Sequence, residues 1–205
     1  MSIQLDHIFW MVPKEDVTHV LGAIAEFGLR ESYRRNHPGQ GTSNVCYCFE
    51  NAFLEILWLE SEEEARSPTI ERTKLADRAT GQANPFGIAW RGEAGLEMWD
   101  FRPPYLPGGI SIPMAVASDD TALPLLFTFP GSKAPVDLPP ERHGGMQVDA
   151  GLMRLEIASI SAERGEGLEA LAQSMEPEFQ VKRGEPSVTL SLMGPKKTSK
   201  LTLPL

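Results

Sequence analysis

Apolar and polar positions along the chain follow two periods, and the switches between them mark the elements. Residues 3–12, IQLDHIFWMV, are rich in β-branched and aromatic side chains and stop at Pro13, which predicts a first strand. Val17, Val20, Leu21, Ile24 and Phe27 then follow the i, i+3, i+4, i+7 spacing of an amphipathic helix, with Gly28 placed to end it. His19 falls off that stripe and reads as a solvated surface residue. Next come a short polar strand near Arg30–Arg35, a turn at His37–Thr42, a strand near Asn44–Phe49, a tight turn at Glu50–Asn51 and a strand over Phe53–Leu59. Residues 1–60 thus spell β-α-β-β-β.

Residues 61–83 carry many charges together with Ile70, Leu75 and Ala79, which predicts a solvated linker holding one helix over 68–79. Pro85–Arg91 reads as a strand and Ala94–Trp99 as one or two helical turns. The following FRPPYLPGG is a loop or an edge, since its prolines remove the donors that a central strand needs. Ile110–Ala117 and Leu123–Phe129 are strands, and Pro130–Gly151 is a long loop containing His143. The last fifty residues repeat the opening grammar. Leu152–Ile160 is a strand; Leu168, Leu171, Ala172 and Met175 mark a helix face ended by Pro177; strands follow around Phe179–Lys182, Ser187–Met193 and Lys200–Leu203. Val188, Leu190 and Leu192 alternate with Ser187, Thr189 and Ser191, the period of a sheet with one dry face. The chain therefore divides into a first unit (1–60), a helical linker (61–83), a partial middle unit (84–130), a loop (131–151) and a last unit (152–205). The expected fold class is α+β, with repeated β-α-β-β-β units whose curved mixed sheets enclose a cavity, because one such unit leaves an apolar sheet face that another covers.

Composition narrows the partners. With 41% apolar residues in 205 the chain suits a globular protein with a sizeable core. Its 28 acidic and 19 basic residues give a net charge of -9, and no basic cluster interleaves with aromatics, so nucleic acid is not an expected partner. No apolar run approaches the ~20 residues that span a bilayer, and MSIQLDHIF does not read as a targeting segment, so a soluble cytoplasmic protein without membrane contact is expected. Cys46 and Cys48, the only cysteines, sit two apart in a strand and share a face, which disfavours a mutual disulfide and reads as a buried thiol pair rather than a metal pair.

The candidate chemistry centres on Glu55, an acid set between Leu54 and Ile56. A carboxylate inside a sheet without partners costs several kcal/mol, so Glu55 is expected to be paired, coordinated, neutralised or turned to a wet cavity, with Arg34, Arg35 or Arg102 as candidate partners. His7 shares a face with Leu5, Phe9 and Met11; it reads either as a ligand or general base facing the cavity or as a polar cap on the sheet edge. Asp6 is expected on the opposite face. His37 lies in HPGQGT, where glycines permit a bend that opens N–H groups toward an anion, or simply make a turn. His143 reads as an ordinary loop histidine or a further ligand, and Tyr105 and Trp99 as pocket lining or plain packing.

The β-α-β-β-β units, LDHIFWMVP at the start, HPGQGTSN at the second turn and FLEILW closing the first unit together resemble the vicinal oxygen chelate superfamily, and within it the glyoxalase-like domain proteins. The resemblance extends through FGIAWRGE, RPPYLPGGISI and LPLLFTF to the His-Gly segment before the last unit. It implies that His7 and Glu55 are metal ligands or an acid–base pair, with a divalent ion such as Zn, Fe, Mn or Ni as cofactor. It also implies two further ligands from the partner unit, yet the matching positions fall around Gly87 and near Thr128. His37, Gly39, Gly41, Thr42, Asn44, Arg102, Tyr105 and His143 are the residues expected to bind substrate. The implied function is action on a small molecule by metal-assisted isomerase, lyase or dioxygenase chemistry. The alternatives are a metal-free protein that sequesters a small molecule, as in bleomycin resistance, and a scaffold whose sheet edges pair in a homodimer.

Overall fold

Strand β1 (Gln4–Val12) is buried at every position after its first, as expected of a strand covered on both faces. It is the centre of the molecule. The computed structural model describes residues 3–204 apart from 130, 132, 164 and 166, so Pro130, expected to begin the long loop, lies outside the described residues. After β1, helix α1 (Val17–Phe27) buries Val20 and Ile24 and ends where Gly28 takes a φ of 104°; the N–H of Leu29 then returns to Ile24 O at 3.2 Å. Strands β2 (Tyr33–His37), β3 (Thr42–Cys48) and β4 (Phe53–Leu59) complete the first unit. β2 starts later than the sequence suggested, because the backbone of Arg30 is held instead by the side chain of Gln147 through two hydrogen bonds.

Helices α2 (Glu62–Ala65) and α3 (Leu75–Ala79) follow. The helix expected over 68–79 is broken at Lys74, whose φ is 57°. Nor is this linker solvated on all sides: Ile70, Leu75 and Ala79 share a core with Phe9, Met11 and Leu57. Arg78 staples it from beneath, buried and donating to the carbonyls of Thr73, Asn84 and Leu123, and burial lowers its pKa to about 10. Strands β5 (Phe86–Arg91), β6 (Met98–Phe101), β7 (Ile112–Ala115) and β8 (Leu125–Thr128) form the middle unit. The helical turn expected at Ala94–Trp99 is absent. Gly92 and Gly95, both at positive φ, carry an irregular crossing that β6 ends.

These strands form one eight-stranded sheet in the order β2-β3-β4-β1-β5-β8-β7-β6. Its halves mirror each other about the antiparallel β1–β5 seam, where Ile8 faces Ile88. Helix α4 (Pro140–His143) and short helical turns occupy the long-loop segment. Strand β9 (Arg154–Ala162), helix α5 (Leu168–Ser174) and strands β10 (Gln180–Arg183), β11 (Ser187–Met193) and β12 (Thr198–Leu203) then form a separate four-stranded sheet, ordered β10-β9-β11-β12. It shares the element order of the first unit but not its pairing, so the structural counterpart of the first unit is the middle one. One core joins the outer face of the large sheet (Ile8, Trp10, Ile56, Trp90) to α1, α5 and the second sheet. The molecule is a mixed α+β protein with curved mixed sheets. Among the described residues no helix is long and apolar enough to cross a membrane.

Candidate functional site

The inner face of the large sheet is set by strand register. Glu55 lies beside Phe9 on β1 and Cys46 on β3; Asn44 lies opposite Arg35, and Thr42 opposite His37. Strand alternation therefore presents His7, Phe9, Glu55, Asn44, Cys46, Arg35 and His37 on one face. Glu55 and His7 are each 7% exposed, so both ionisable groups sit on an otherwise dry floor.

Their partners differ from those expected. Among the described residues no arginine pairs with Glu55: its Oε1 accepts from Asn44 Nδ2 at 2.5 Å, and Asn44 Oδ1 in turn accepts from the backbone N–H of Arg35 at 2.9 Å. Arg34 is held by Glu31 and Arg102 by Asp100. Asp6 does not point away from His7. The β1–β5 register shifts between Leu5 and His7, and this bulge takes Asp6 out of strict alternation. Its carboxylate accepts from His7 Nδ1 at 2.6 Å and from Arg91 Nη1 at 3.0 Å. With Nδ1 held by Asp6, the free nitrogen of His7, Nε2, faces Glu55 Oε2 at 3.7 Å. The imidazole stacks on Phe53 at 4.4 Å and meets the edge of Phe127 at 5.2 Å.

Around this pair lies a ring of groups held neutral. Burial lowers the pKa of His37, whose Nδ1 is 2.9 Å from the Thr42 hydroxyl and whose ring lies 4.9 Å from that of Tyr105. Burial, then the charge of Glu55, raises the Tyr105 phenol. Cys46 is raised for the same two reasons and Cys48 is pushed by burial to about 11, so neither thiol is a ready nucleophile at neutral pH.

Other residues singled out in the sequence fall elsewhere. The turn at 37–42 is not an open anion cradle: the Gly39 N–H donates to Glu64 Oε2 at 2.7 Å, and a Cβ on Gly41 would lie 2.2 Å from Ser61 O. Gly39 and Gly41 serve the packing of that turn against α2. Arg102 is exposed, and His143 bonds the carbonyl of its neighbour Gly144 at 2.6 Å, with no contact linking it to His7 or Glu55. Arg35, expected only as a candidate ion-pair partner of Glu55, and Asp6, expected on the opposite face, are the residues that sequence reasoning did not place among the site's functional groups. The alternation of β2 with Asn44 was a signal for the first; nothing short of the β5 pairing gave the second.

The metal site implied by the resemblance requires donors from the middle unit. The sheet's pseudo-twofold relates His7 to Gly87 and, through the pairs Phe9–Glu55 and Ala89–Phe127, relates Glu55 to Phe127, one residue before the expected Thr128. Neither side chain can ligate. A Cβ on Gly87 would lie 2.0 Å from the ring of Phe9, so that position is filled by a phenyl group. Among the described residues no group of three or more His, Cys, Asp or Glu is placed to hold a metal ion. The residues present do not fit a chelate site that needs three or four protein ligands.

Residues 5–106 match the family model of the glyoxalase-like domain. Over that segment, about half of the chain, the protein is similar to the glyoxalase-like domain family; β7, β8 and the second sheet lie beyond it. No curated protein matches its sequence. Similar solved structures include a hypothetical protein from Staphylococcus aureus, 12% identical, covering 98% of this chain and 85% of its own, with a TM-score of 0.48. A hypothetical protein from Bacillus halodurans C-125 is 19% identical, with 63% of this chain and 94% of that one covered and a TM-score of 0.45. Methylmalonyl-CoA epimerase of Streptomyces coelicolor, in complex with 2-nitronate-propionyl-CoA, is 16% identical, with 66% and 100% covered and a TM-score of 0.42.

Proposed function

We propose that this protein binds a small organic molecule on the inner face of the large sheet and moves a proton on it between Glu55 and His7. The observation that carries this reading is the 3.7 Å gap between His7 Nε2 and Glu55 Oε2, with the far side of each group already held, by Asp6 and by Asn44. Catalytic hydrogen bonds are often long before substrate arrives, and general acid–base groups contribute about 10²–10⁴-fold in rate. In this reading Glu55 Oε2 takes a proton from carbon beside a carbonyl, and His7 Nε2 returns one, which is isomerase-type chemistry. Tyr105, kept protonated by burial and by the charge of Glu55, donates to the oxygen on which charge develops. No step is routed through a metal.

The test is solvent deuterium incorporation into small 2-oxo acids and their amides in D2O after treatment with EDTA, followed by proton NMR. Exchange in the wild type that falls at least ~10²-fold in Glu55→Gln supports the reading. Exchange that persists in Glu55→Gln removes Glu55 as the base.

A second reading, stoichiometric sequestration without turnover, is favoured by Gly87 and Phe127, which supply the partner half with apolar lining instead of donors. Saturable binding with no exchange on any compound distinguishes it. The homodimer implied by the resemblance belongs to neither reading and is tested by oligomeric state in solution; the edge strand β2, YRRNH, has the charged character that resists edge-to-edge pairing.

A further inference from the structure

We infer that Arg35 is the anion-binding end of this site, so that the molecule it takes is a small acid carrying a carboxylate or a phosphate. The inference rests on the reading that the inner face is the ligand site, and it adds the substrate class. Arg35 faces Asn44 across the β2–β3 ladder and so belongs to the face of Glu55, while its own N–H fixes the Asn44 amide that holds Glu55. Its guanidinium lies 4.6 Å over the ring of Tyr33. Among the described residues no carboxylate stands within ion-pair distance of it, whereas Arg34, Arg66, Arg72, Arg91, Arg102 and Arg154 each have one.

Arg30, Arg142 and Arg183 are likewise exposed and have no ion pair among the described residues; what sets Arg35 apart is its register position on the face that carries Glu55. Its charge acts on Tyr33, His37, Cys46, Cys48 and Tyr105, which puts it at the rim of the same cluster. His37, the other basic group on this edge of the face, is turned neutral by burial. Arg35 is the standing positive charge there.

Chemistry and distance select the ligand. A guanidinium stacked on an aromatic ring keeps its edge free, and that planar fork matches a carboxylate or phosphate bidentately. Strand spacing places the α-carbons of Arg35 and Glu55 roughly 12 Å apart, two strands across and two residues along. Among the described residues no ion pair joins the two side chains across that span. It suits a short molecule with its anionic group on Arg35 and its acidic C–H at Glu55.

The experiment titrates full-length protein with pyruvate, inorganic phosphate and the neutral analogue pyruvamide at constant ionic strength, following the Nε–H signal of Arg35 and the Tyr33 ring by NMR. Either anion should bind saturably and at least ~10-fold more tightly than pyruvamide, and the stronger of the two identifies the head group. Arg35→Gln should abolish that preference without changing pyruvamide binding, Arg35→Lys should retain part of it, and Arg34→Gln, whose side chain is paired with Glu31, should retain all of it. Equal binding of pyruvate and pyruvamide, an intact preference in Arg35→Gln, or no saturable binding of either anion overturns the inference. Binding of pyruvate and deuterium exchange into it that both survive Arg35→Gln unchanged would sink the anion site while leaving the proton-transfer reading standing; an intact anion preference with exchange unchanged in Glu55→Gln does the reverse.

Discussion

The two halves of the eight-stranded sheet share one strand order and differ in what they place on the inner face. Where β1 and β4 present His7 and Glu55, β5 and β8 present Gly87 and Phe127. One half concentrates polar groups and holds them with Asp6, Arg91 and Asn44; the other supplies the walls, with Phe9 lying over Gly87 and Phe127 against His7. The difference teaches that pseudo-symmetry of backbone need not mean shared ligands. A site that would need donors from both halves is built here from one, and the space a second donor would take is closed by an aromatic ring.

The strongest way to break this comparison is chemical. Glu55→Gln should lower proton exchange by about 10²–10⁴-fold, whereas Phe127→Leu, on the matching strand, should change it by less than ~10-fold; initial rates in D2O read both. Next is the closed position. Gly87→Ala forces a Cβ into the ring of Phe9 and should cost about 1–3 kcal/mol in urea unfolding. Pairing it with Phe9→Leu should return part of that loss, and full stability in the single variant would show that the ring does not occupy the space. Asn44→Ala leaves Glu55 Oε1 and the Arg35 N–H without partners and should cost about 1–3 kcal/mol, because both groups lose a hydrogen bond away from bulk water.

A smaller effect is alkaline. Burial disfavours the thiolate and pushes the Cys48 thiol from its ordinary 9.0 up to about 11. An acid whose folded pKa is raised contributes its stability below the unfolded value and loses it as pH rises through the folded one. Stability should therefore fall between about pH 9 and 11, and the double substitution Cys46→Ala with Cys48→Ala should flatten that fall in urea midpoints measured across the range. Smallest of all is Arg35→Gln, which should alter unfolding free energy by no more than about 0.5 kcal/mol because the side chain is exposed, even where it removes anion binding.

Much of the first unit was legible because local pattern and tertiary role agree there. β1, α1 and β4 sit where the periodicity puts them, and Glu55 stood out as a charge that needed partners. Which partners it has was not legible. The choice of Asn44 over an arginine follows from β3–β4 register, and the Asp6–His7 contact follows from a bulge that arises only when β1 pairs with β5. The linker looked solvated because its charges dominate the sequence, yet Ile70, Leu75 and Ala79 are enough to dock it on the inner face. The C-terminal element order suggested a repeat of the first unit; strand pairing, which long-range contacts decide, made it a different sheet.

The most direct test of the central claim is the divalent-ion content and affinity of tag-free protein, compared among the wild type, His7→Ala and Glu55→Gln. With Gly87 and Phe127 at the matching positions, no tight stoichiometric ion should be held, and the three proteins should behave alike. One equivalent bound tightly by the wild type and lost from both variants would contradict the account, because it would mean that the two halves do complete a chelate site between them.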